Sequence, residues 1–126
     1  MSDEVNKNLV FATTKKQIGL TQTYDAFDMD LMLQINMVFG ILFQLGVVYE
    51  PVTITAETTW SSFGFTPDVL GMVQEYVFLK TRKIFDPPQS GILMESMNNM
   101  ISELEWRLNV ARDPGYQKGE DKENDE

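Results

Sequence analysis

Residues 67–108 carry the strongest structural pattern in the chain and read PDVLGMVQEYVFLKTRKIFDPPQSGILMESMNNMISELEWRL. The pattern predicts a helix, a sharp stop and a second helix. Thr66 is suited to cap the free backbone N–H groups of the first helix, and Pro67 fits its first position. Asp86 precedes two prolines, and a residue before proline is pushed out of the helical region. We therefore expect the first helix to end at about Phe85.

The second helix is expected to start between Asp86 and Ser90, either of which can act as its cap. Its apolar residues recur at spacings of three and four, which predicts an amphipathic helix with one apolar stripe. The stripe consists of Leu93, Met97, Met100, Leu104, Leu108 and Ala111. Trp106 lies off this stripe, which suggests a second contact surface.

The first helix of the pair is apolar over more than one face in residues 69–79. A helix that packs on one side only has a narrow stripe, so a broad apolar surface indicates that the helix is covered on two sides. One interpretation is a central helix inside a small bundle. The other is burial against a neighbouring subunit, and the pattern alone leaves both open.

A third and more apolar helix is predicted from about Phe27 to Leu45. Two adjacent apolar stripes run along it, and Gly46 stands where a left-handed residue often ends a helix. The stripes consist of Leu31, Ile35, Val38, Leu42 and Leu45, and of Met32, Phe39 and Phe43.

Three aspartates, Asp25, Asp28 and Asp30, stand at the start of this helix. Such a group raises the hypothesis of a metal site, but the glycine and the closing glutamate of a calcium loop are missing. Negative charge at the start of a helix is favoured by the helix dipole. We therefore prefer the dipole explanation to a metal site.

The other segments complete the predicted organisation. Residues 1–12 are expected to form an arm, 13–20 a short helix, and 47–55, with its β-branched residues, a short extended element or hairpin. The acidic residues 113–126 are expected to be a flexible tail. The predicted fold is an all-α domain over residues 13–112, with three main helices and a short N-terminal one.

An aromatic loop over residues 57–65 contains Trp60, Phe63 and Phe65. Side chains this large are not left free in water, so the loop either packs under the domain, which we favour, or belongs to an interface. The predicted core includes Leu31, Ile35, Leu42, Val73, Tyr76, Leu93, Met97, Met100 and Leu104.

The chain has 126 residues, enough for one domain with a core, and its formal net charge is −9. This charge argues against wrapping free nucleic acid and against binding an anionic membrane, because both require a dense basic surface. No run of residues has the length and apolarity of a membrane span. The polar, acidic first residues predict no signal peptide.

The sequence contains no histidine and no cysteine. This excludes a nucleophile–histidine pair and the usual zinc sites. A carboxylate enzyme would need two acids that converge in a pocket, and the sequence identifies no such pair. We therefore predict that the chain is not an enzyme and has no catalytic, cofactor-binding or metal site.

Lys80, Arg82 and Lys83 form a basic cluster in the last turn of the first helix of the pair. The helix dipole favours cations at this position, and that explanation is sufficient. Contact with an acidic partner is the alternative hypothesis.

The amino-acid sequence of these two helices resembles a family of phage structural proteins, the head-to-tail connector or adaptor proteins of long-tailed phages. The resemblance rests on YVFLKTRKIFDPP at 76–88 and ELEWRL at 103–108. Upstream, TKK at 14–16, IGL at 18–20 and YDAFD at 24–28 fit the same pattern, followed by a loop with Trp60. The likeness covers about residues 13–110.

This resemblance implies a helical bundle without a catalytic site. Copies would form a ring, typically of twelve, beneath the portal vertex of the head. The ring would extend the DNA channel and provide a platform for the head-closure protein and the tail. The expected partners are therefore further copies, the portal protein and a head-closure or tail protein. Packaged DNA would pass without specific binding, and no membrane would be involved. The protein would be made in the host bacterial cytoplasm and reside in the virion neck.

Adaptors of this kind often reach the portal with a C-terminal segment, for which residues 109–126 are the candidate here. From this segment, the aromatic loop and the basic cluster we predict the residues that contact subunits or partners. They are Trp60, Phe63, Phe65, Phe78, Lys80, Arg82, Lys83, Trp106, Arg112 and Tyr116.

Two other functions remain as alternatives. Another neck or tail component, such as a head-closure or tail-terminator protein, would usually be richer in strands. An acidic helical inhibitor outside the virion, one that mimics DNA, would carry its carboxylates along a rigid surface. Here a sizeable share of the acid lies in the tail at 113–126.

Overall fold

The computed structural model describes residues 5–111, and its regular elements are all helical. They are α1 (Val10–Gln17), α2 (Asp28–Gln44), a 3₁₀ helix (Trp60–Phe63), α3 (Pro67–Phe85) and α4 (Gly91–Ala111). The prediction of an all-α bundle with three main helices and a short N-terminal one is confirmed. None of the helices within residues 5–111 has the length and apolarity needed to cross a bilayer.

The predicted ends of the helical pair are also confirmed. The Thr66 hydroxyl accepts a hydrogen bond from the backbone N–H of Val69 at 3.4 Å, and α3 ends at Phe85. Ser90 rather than Asp86 caps α4, because its hydroxyl accepts from the backbone N–H groups of Ile92 and Leu93 at 3.1 and 3.2 Å. Local side-chain chemistry therefore places these boundaries.

α3 is the central helix of the bundle and packs against α1, α2 and α4. Its side chains Val73, Tyr76 and Val77 are fully buried, and Phe78 packs on the core from a half-buried position. The broad apolar surface of this helix is thus explained by three neighbours within its own chain. No second subunit is needed to account for it.

α2 lies within one residue of its predicted bounds, and Gly46 has the expected left-handed conformation with φ of +84°. One face of the helix is buried, and it consists of Leu31, Ile35, Val38, Phe39 and Leu42. Of the predicted second stripe, Phe39 is buried, Met32 is half-buried and Phe43 is exposed. α2 therefore behaves as a helix with one covered face.

The buried face of α4 differs from the apolar stripe that was predicted to be buried. Met97, Ile101 and Leu108 are buried, whereas Leu93 and Met100 are 58% and 44% exposed. The assignment of these two residues to the core is therefore wrong. The physical reason is that α4 packs chiefly on α3, which covers a narrow face centred on Ile101 and leaves the flank open. The other predicted core residues are buried, with Leu104 half-buried against the core.

The segment 47–55 forms no strand or hairpin, so the hairpin prediction is wrong for this part of the chain. The Asn36 side chain takes the place of a strand partner. Its Oδ1 accepts from the Ile54 backbone N–H at 2.7 Å, and its Nδ2 donates to the Ile54 carbonyl at 3.2 Å. Val47, Val48 and Ile54 are buried, so the segment is anchored across the bundle without a ladder.

α1 begins at Val10, three residues earlier than predicted, and so includes part of the predicted arm. Just before it, Leu9 pairs with Thr59 in an isolated antiparallel bridge. The backbone N–H of Val10 donates to the Thr58 carbonyl at 3.0 Å, and that of Trp60 donates to the Asn8 carbonyl at 2.7 Å. The beginning of the described chain is therefore fastened to the aromatic loop. The predicted tail at 113–126 lies outside the described residues.

Candidate interaction surfaces

A cleft of about 780 Å³ opens where α3 begins and α4 ends, and we call it the Trp106 cleft. It brings together Phe63, Phe65 and Trp106, three of the residues predicted to contact partners. Trp106 is 67% exposed, although a side chain of this size is usually well buried. The complete lining comprises Val47, Val48, Tyr49, Phe63, Phe65, Thr66, Asp68, Val69, Met72, Trp106, Arg107, Leu108, Val110 and Ala111.

The aromatic wall of this cleft is built by the loop before α3. Phe63 and Phe65 are stacked, with ring centroids 5.4 Å apart and planes 14° apart. Phe63 also stacks on Phe39 of α2 at 5.3 Å, which fixes the wall to the core. A fixed apolar wall opposite an exposed tryptophan can hold an apolar or aromatic side chain from another chain.

The charged groups at the cleft do not form a catalytic arrangement. Arg107 is bound to Glu103, one turn earlier, with Nη2 to Oε2 at 2.8 Å and Nε to Oε2 at 3.1 Å. Asp68 stands in the first turn of α3, where the helix dipole favours it. The positions of these two charged side chains are therefore explained within their own helices.

Trp60 belongs to the core of its own chain. Its ring lies 6.1 Å from Phe78 in an edge-on arrangement and 6.3 Å from Phe39. Its Nε1 donates to the Thr13 hydroxyl at 3.0 Å. The favoured interpretation, in which the aromatic loop packs under the domain, thus holds for Trp60.

The basic cluster lies at the other end of α3, so the structure does not bring it together with the Trp106 cleft. Lys80 Nζ lies 5.9 Å from the centre of the Tyr76 ring, and Arg82 Nε lies 3.9 Å from the Asp86 carboxylate. Arg82 and Lys83 are exposed, whereas Lys80 is half-buried.

Arg112 and Tyr116, which complete the predicted contact residues, lie outside the described residues. Ala111, the last described residue, lines the Trp106 cleft. The described part of the chain therefore ends at this cleft.

Asp28, one of the three aspartates considered as metal ligands, is paired with a buried lysine. Lys15 Nζ lies 2.9 Å from Asp28 Oδ1, and it donates to the Gln22 carbonyl at 3.1 Å. Among residues 5–111, the structure shows no group of three or more acidic side chains placed to hold a metal ion. The side chain of Asp28 thus links α2 to α1.

A second buried polar contact joins α3 to α4. The Tyr76 hydroxyl donates to Glu105 Oε2 at 2.7 Å. Burial raises the pKa of Tyr76 well above its ordinary value, and the hydrogen bond to the neighbouring carboxylate adds to the effect. Sequence reasoning missed this contact, because nothing in the spacing of two residues 29 positions apart marks them as partners.

Sequence reasoning also missed the exposed apolar surfaces of α2 and α4. Met29, Leu33 and Met37 of α2 are 77%, 61% and 65% exposed. On α4, Ile92 is largely exposed in addition to Leu93 and Met100. The sequence did carry a signal, since α2 has few polar residues on any side after Asp30.

Comparisons with known proteins agree with this structural picture. No curated protein and no solved structure matches the chain. The model of the phage connector protein family matches residues 10–115, which includes every helix described above. This family consists of structural proteins of the phage neck and is not a family of enzymes. The chain therefore belongs to the phage connector protein family.

Proposed function

We propose that this protein is a head-to-tail adaptor. In this proposal, copies assemble into a ring beneath the portal, extend the DNA channel and present a platform for the head-closure protein and the tail. The observation that carries the proposal is the family match over residues 10–115, which spans the whole helical bundle.

The exposed apolar surfaces support an assembly role. A monomer that functions alone rarely leaves several large apolar side chains uncovered on neighbouring turns of a helix. Here this occurs on α2 and on α4, and Trp106 adds a third exposed site at the cleft. A ring subunit has two lateral neighbours and two axial partners, so it requires several such surfaces.

The net charge of −9 supports passage of DNA without specific binding. DNA carries two negative charges per base pair, and an acidic wall repels it. Packaged DNA would therefore move through the channel without being held by the protein.

The C-terminal segment, residues 109–126, is the proposed link to the portal. Its first three residues end α4, and Val110 and Ala111 line the Trp106 cleft. The segment after Arg112 contains six carboxylates and two lysines, a net charge of −4. An acidic segment of this kind would dock on a groove of the portal that is basic or rich in hydrogen-bond donors.

A phage in which this reading frame carries an early stop codon tests the proposal. We expect the host to produce separate heads and tails that do not join, and we expect supplied wild-type protein to restore tailed particles. Electron microscopy of the lysate provides the readout. Normal tailed particles that lack the protein would overturn the proposal.

A further inference from the structure

The outward face of α2 is apolar where an amphipathic helix is normally polar. Met29, Leu33 and Met37 follow one another at intervals of four residues, so they form one row. At 100° per residue this row lies opposite the buried row of Leu31, Ile35 and Leu42. We call these three exposed side chains the α2 outer face.

A second uncovered apolar surface lies on the flank of α4. Leu93 and Met100 continue the row that contains Met97 and Leu104, of which the chain's own core covers only the latter two. We call the two exposed side chains the α4 flank. α2 and α4 both pack against α3, and the α2 outer face points away from the buried side of its own helix, so the two surfaces lie on separate helices with α3 as their common neighbour.

The two surfaces have matching chemistry. α2 has no charged residue after Asp30, and α4 has none between Glu95 and Glu103. The centres of protein interfaces are depleted in charge and enriched in methionine, and each surface includes exposed methionine. Leu33, Met37 and Met100 lie inside these uncharged runs. Met29 and Leu93 lie at the edges, beside Asp30 and near Glu95. The uncharged centre of each surface is suited to an equally uncharged surface.

We propose that the α2 outer face of one copy packs on the α4 flank of the next copy. This inference rests on the proposed ring and identifies its lateral contact. Two different surfaces of one chain give a head-to-tail contact, which forms a ring when the rotation from one copy to the next closes. A two-fold dimer would instead use the same surface on both copies.

The size of the surfaces fits a second copy held in a ring. An exposed Leu or Met side chain leaves roughly 100 Å² of apolar area in water, so the two surfaces together offer about 500 Å². A stable interface buries about 1,600 Å² in total. A single contact of this size is therefore weak. A subunit that contacts two neighbours and a portal is stabilised by the sum of these contacts. This size favours a repeated copy over a separate one-to-one partner.

Cysteine cross-linking tests the inference, because the natural chain contains no cysteine. Leu33→Cys and Met100→Cys are combined in one chain and treated with a short bismaleimide reagent, both at high protein concentration and on portal rings. We expect a ladder of covalently linked copies on a denaturing gel. Each single variant should remain monomeric on the gel, because a head-to-tail contact never brings two identical positions together.

The matched control combines Leu33→Cys with Gln17→Cys, since Gln17 is exposed on α1, outside both surfaces. We expect no ladder from this variant. All three positions are exposed, so the variants should keep the wild-type circular dichroism spectrum.

Three outcomes would overturn the inference: dimers from Leu33→Cys alone, an equal ladder from the control, or no ladder in either condition. The proposed function is tested separately by binding to the portal. A full ring on the portal without the ladder would contradict the inference and leave the function standing. A ladder without portal binding would support the inference and contradict the proposed function.

Discussion

At the scale of single residues, two polar contacts join the helices of this small bundle in pairs. The Tyr76 hydroxyl reaches Glu105 from α3 to α4, and Lys15 reaches Asp28 from α1 to α2. Each joins two helices through one hydrogen-bonded pair that includes a charged group. Such bonds are shorter and stronger than neutral ones, and removal of one partner leaves the other unsatisfied.

The Tyr76→Phe substitution removes the hydroxyl and keeps the ring. Because a hydrogen bond to a charged acceptor is lost, we expect the free energy of unfolding to fall by about 1–2 kcal/mol. Urea denaturation at neutral pH measures the difference. Tyr49→Phe is the matched control, since Tyr49 is 88% exposed, and it should leave the unfolding free energy unchanged.

The same tyrosine predicts a dependence on pH. Its pKa is raised in the folded protein, so above about pH 10 the unfolded chain loses the phenolic proton while the folded chain retains it. The stabilisation from Tyr76 is therefore complete below pH 10 and decreases as the pH rises further. We expect the stability difference between wild type and Tyr76→Phe to shrink between pH 9 and pH 11 in parallel urea titrations. A constant difference over that range would contradict the assignment.

The Lys15→Met substitution tests the other contact. It leaves the Asp28 carboxylate without its cation, but that carboxylate is 38% exposed, so water offsets part of the loss. We expect about 1–2 kcal/mol of destabilisation in thermal or urea unfolding. Lys16→Met is the matched control on the same helix, because Lys16 is exposed. Adding Asp28→Asn to Lys15→Met should restore part of the stability.

Residue-scale features were predictable where the interaction is local. The cap at Thr66 and the left-handed Gly46 follow from neighbouring residues, and both are confirmed. The partners of Lys15, Asn36 and Tyr76 could not be predicted, because each contact depends on how separate elements meet. The aspartates at the start of α2 show the same limit. The helix dipole accounts for their position but does not predict that Asp28 pairs with Lys15.

At the scale of elements, the irregular segment between α2 and the 3₁₀ helix depends on a helix side chain. Asn36 binds both the N–H and the carbonyl of Ile54 and so replaces a strand partner. The β-branched composition of 47–55 correctly indicated a segment that lies outside the helices. It could not show that the hydrogen-bond partner would be a side chain 18 positions away.

Asn36→Leu should therefore loosen this segment. Two backbone groups of Ile54, whose side chain is buried, would lose their partners, and we expect about 2–3 kcal/mol of destabilisation by urea unfolding. Hydrogen exchange should show faster exchange of the Ile54 amide. Gln44→Leu, which also replaces an amide side chain with leucine but at an exposed position of α2, should change stability by less than about 0.5 kcal/mol. Equal effects of the two variants would contradict this account of the segment.

Periodicity predicted which elements exist and did not predict which face of α4 points inward. Met97 and Leu104 can share a buried face either with Leu93 and Met100 or with Ile101. The spacing of the residues is helical in both cases. Only the position of α3 decides between them, and the structure places Ile101 inside. Leu93 and Met100, which remain exposed, form the proposed contact with the next copy.

At the scale of the whole molecule, the fold class, the absence of histidine and cysteine and the family were accessible from sequence. The surfaces were not, because exposure depends on the completed bundle. The broad apolar surface of α3 pointed to either a core position or a neighbouring subunit, and the structure assigns it to the core. The surfaces left over for assembly are on α2, α4 and the Trp106 cleft.

Truncation after Arg112 separates folding from docking. The removed residues contain no apolar side chain beyond Tyr116, so we expect an unchanged helical spectrum and melting temperature. We also expect loss of attachment to portal rings in a co-sedimentation assay. A shorter truncation after Lys122 serves as the control for the acidic end. Full attachment of the chain truncated after Arg112 would remove the proposed role of this segment.

The mass of the protein on its portal tests the adaptor proposal most directly. Light scattering is measured on the protein alone, on portal rings of the same phage and on their mixture. For a closed ring of twelve 14.4 kDa copies, the mixture should exceed the portal by about 170 kDa. A mixture in which the portal keeps its own mass and the protein remains a separate helical monomer would contradict the proposal.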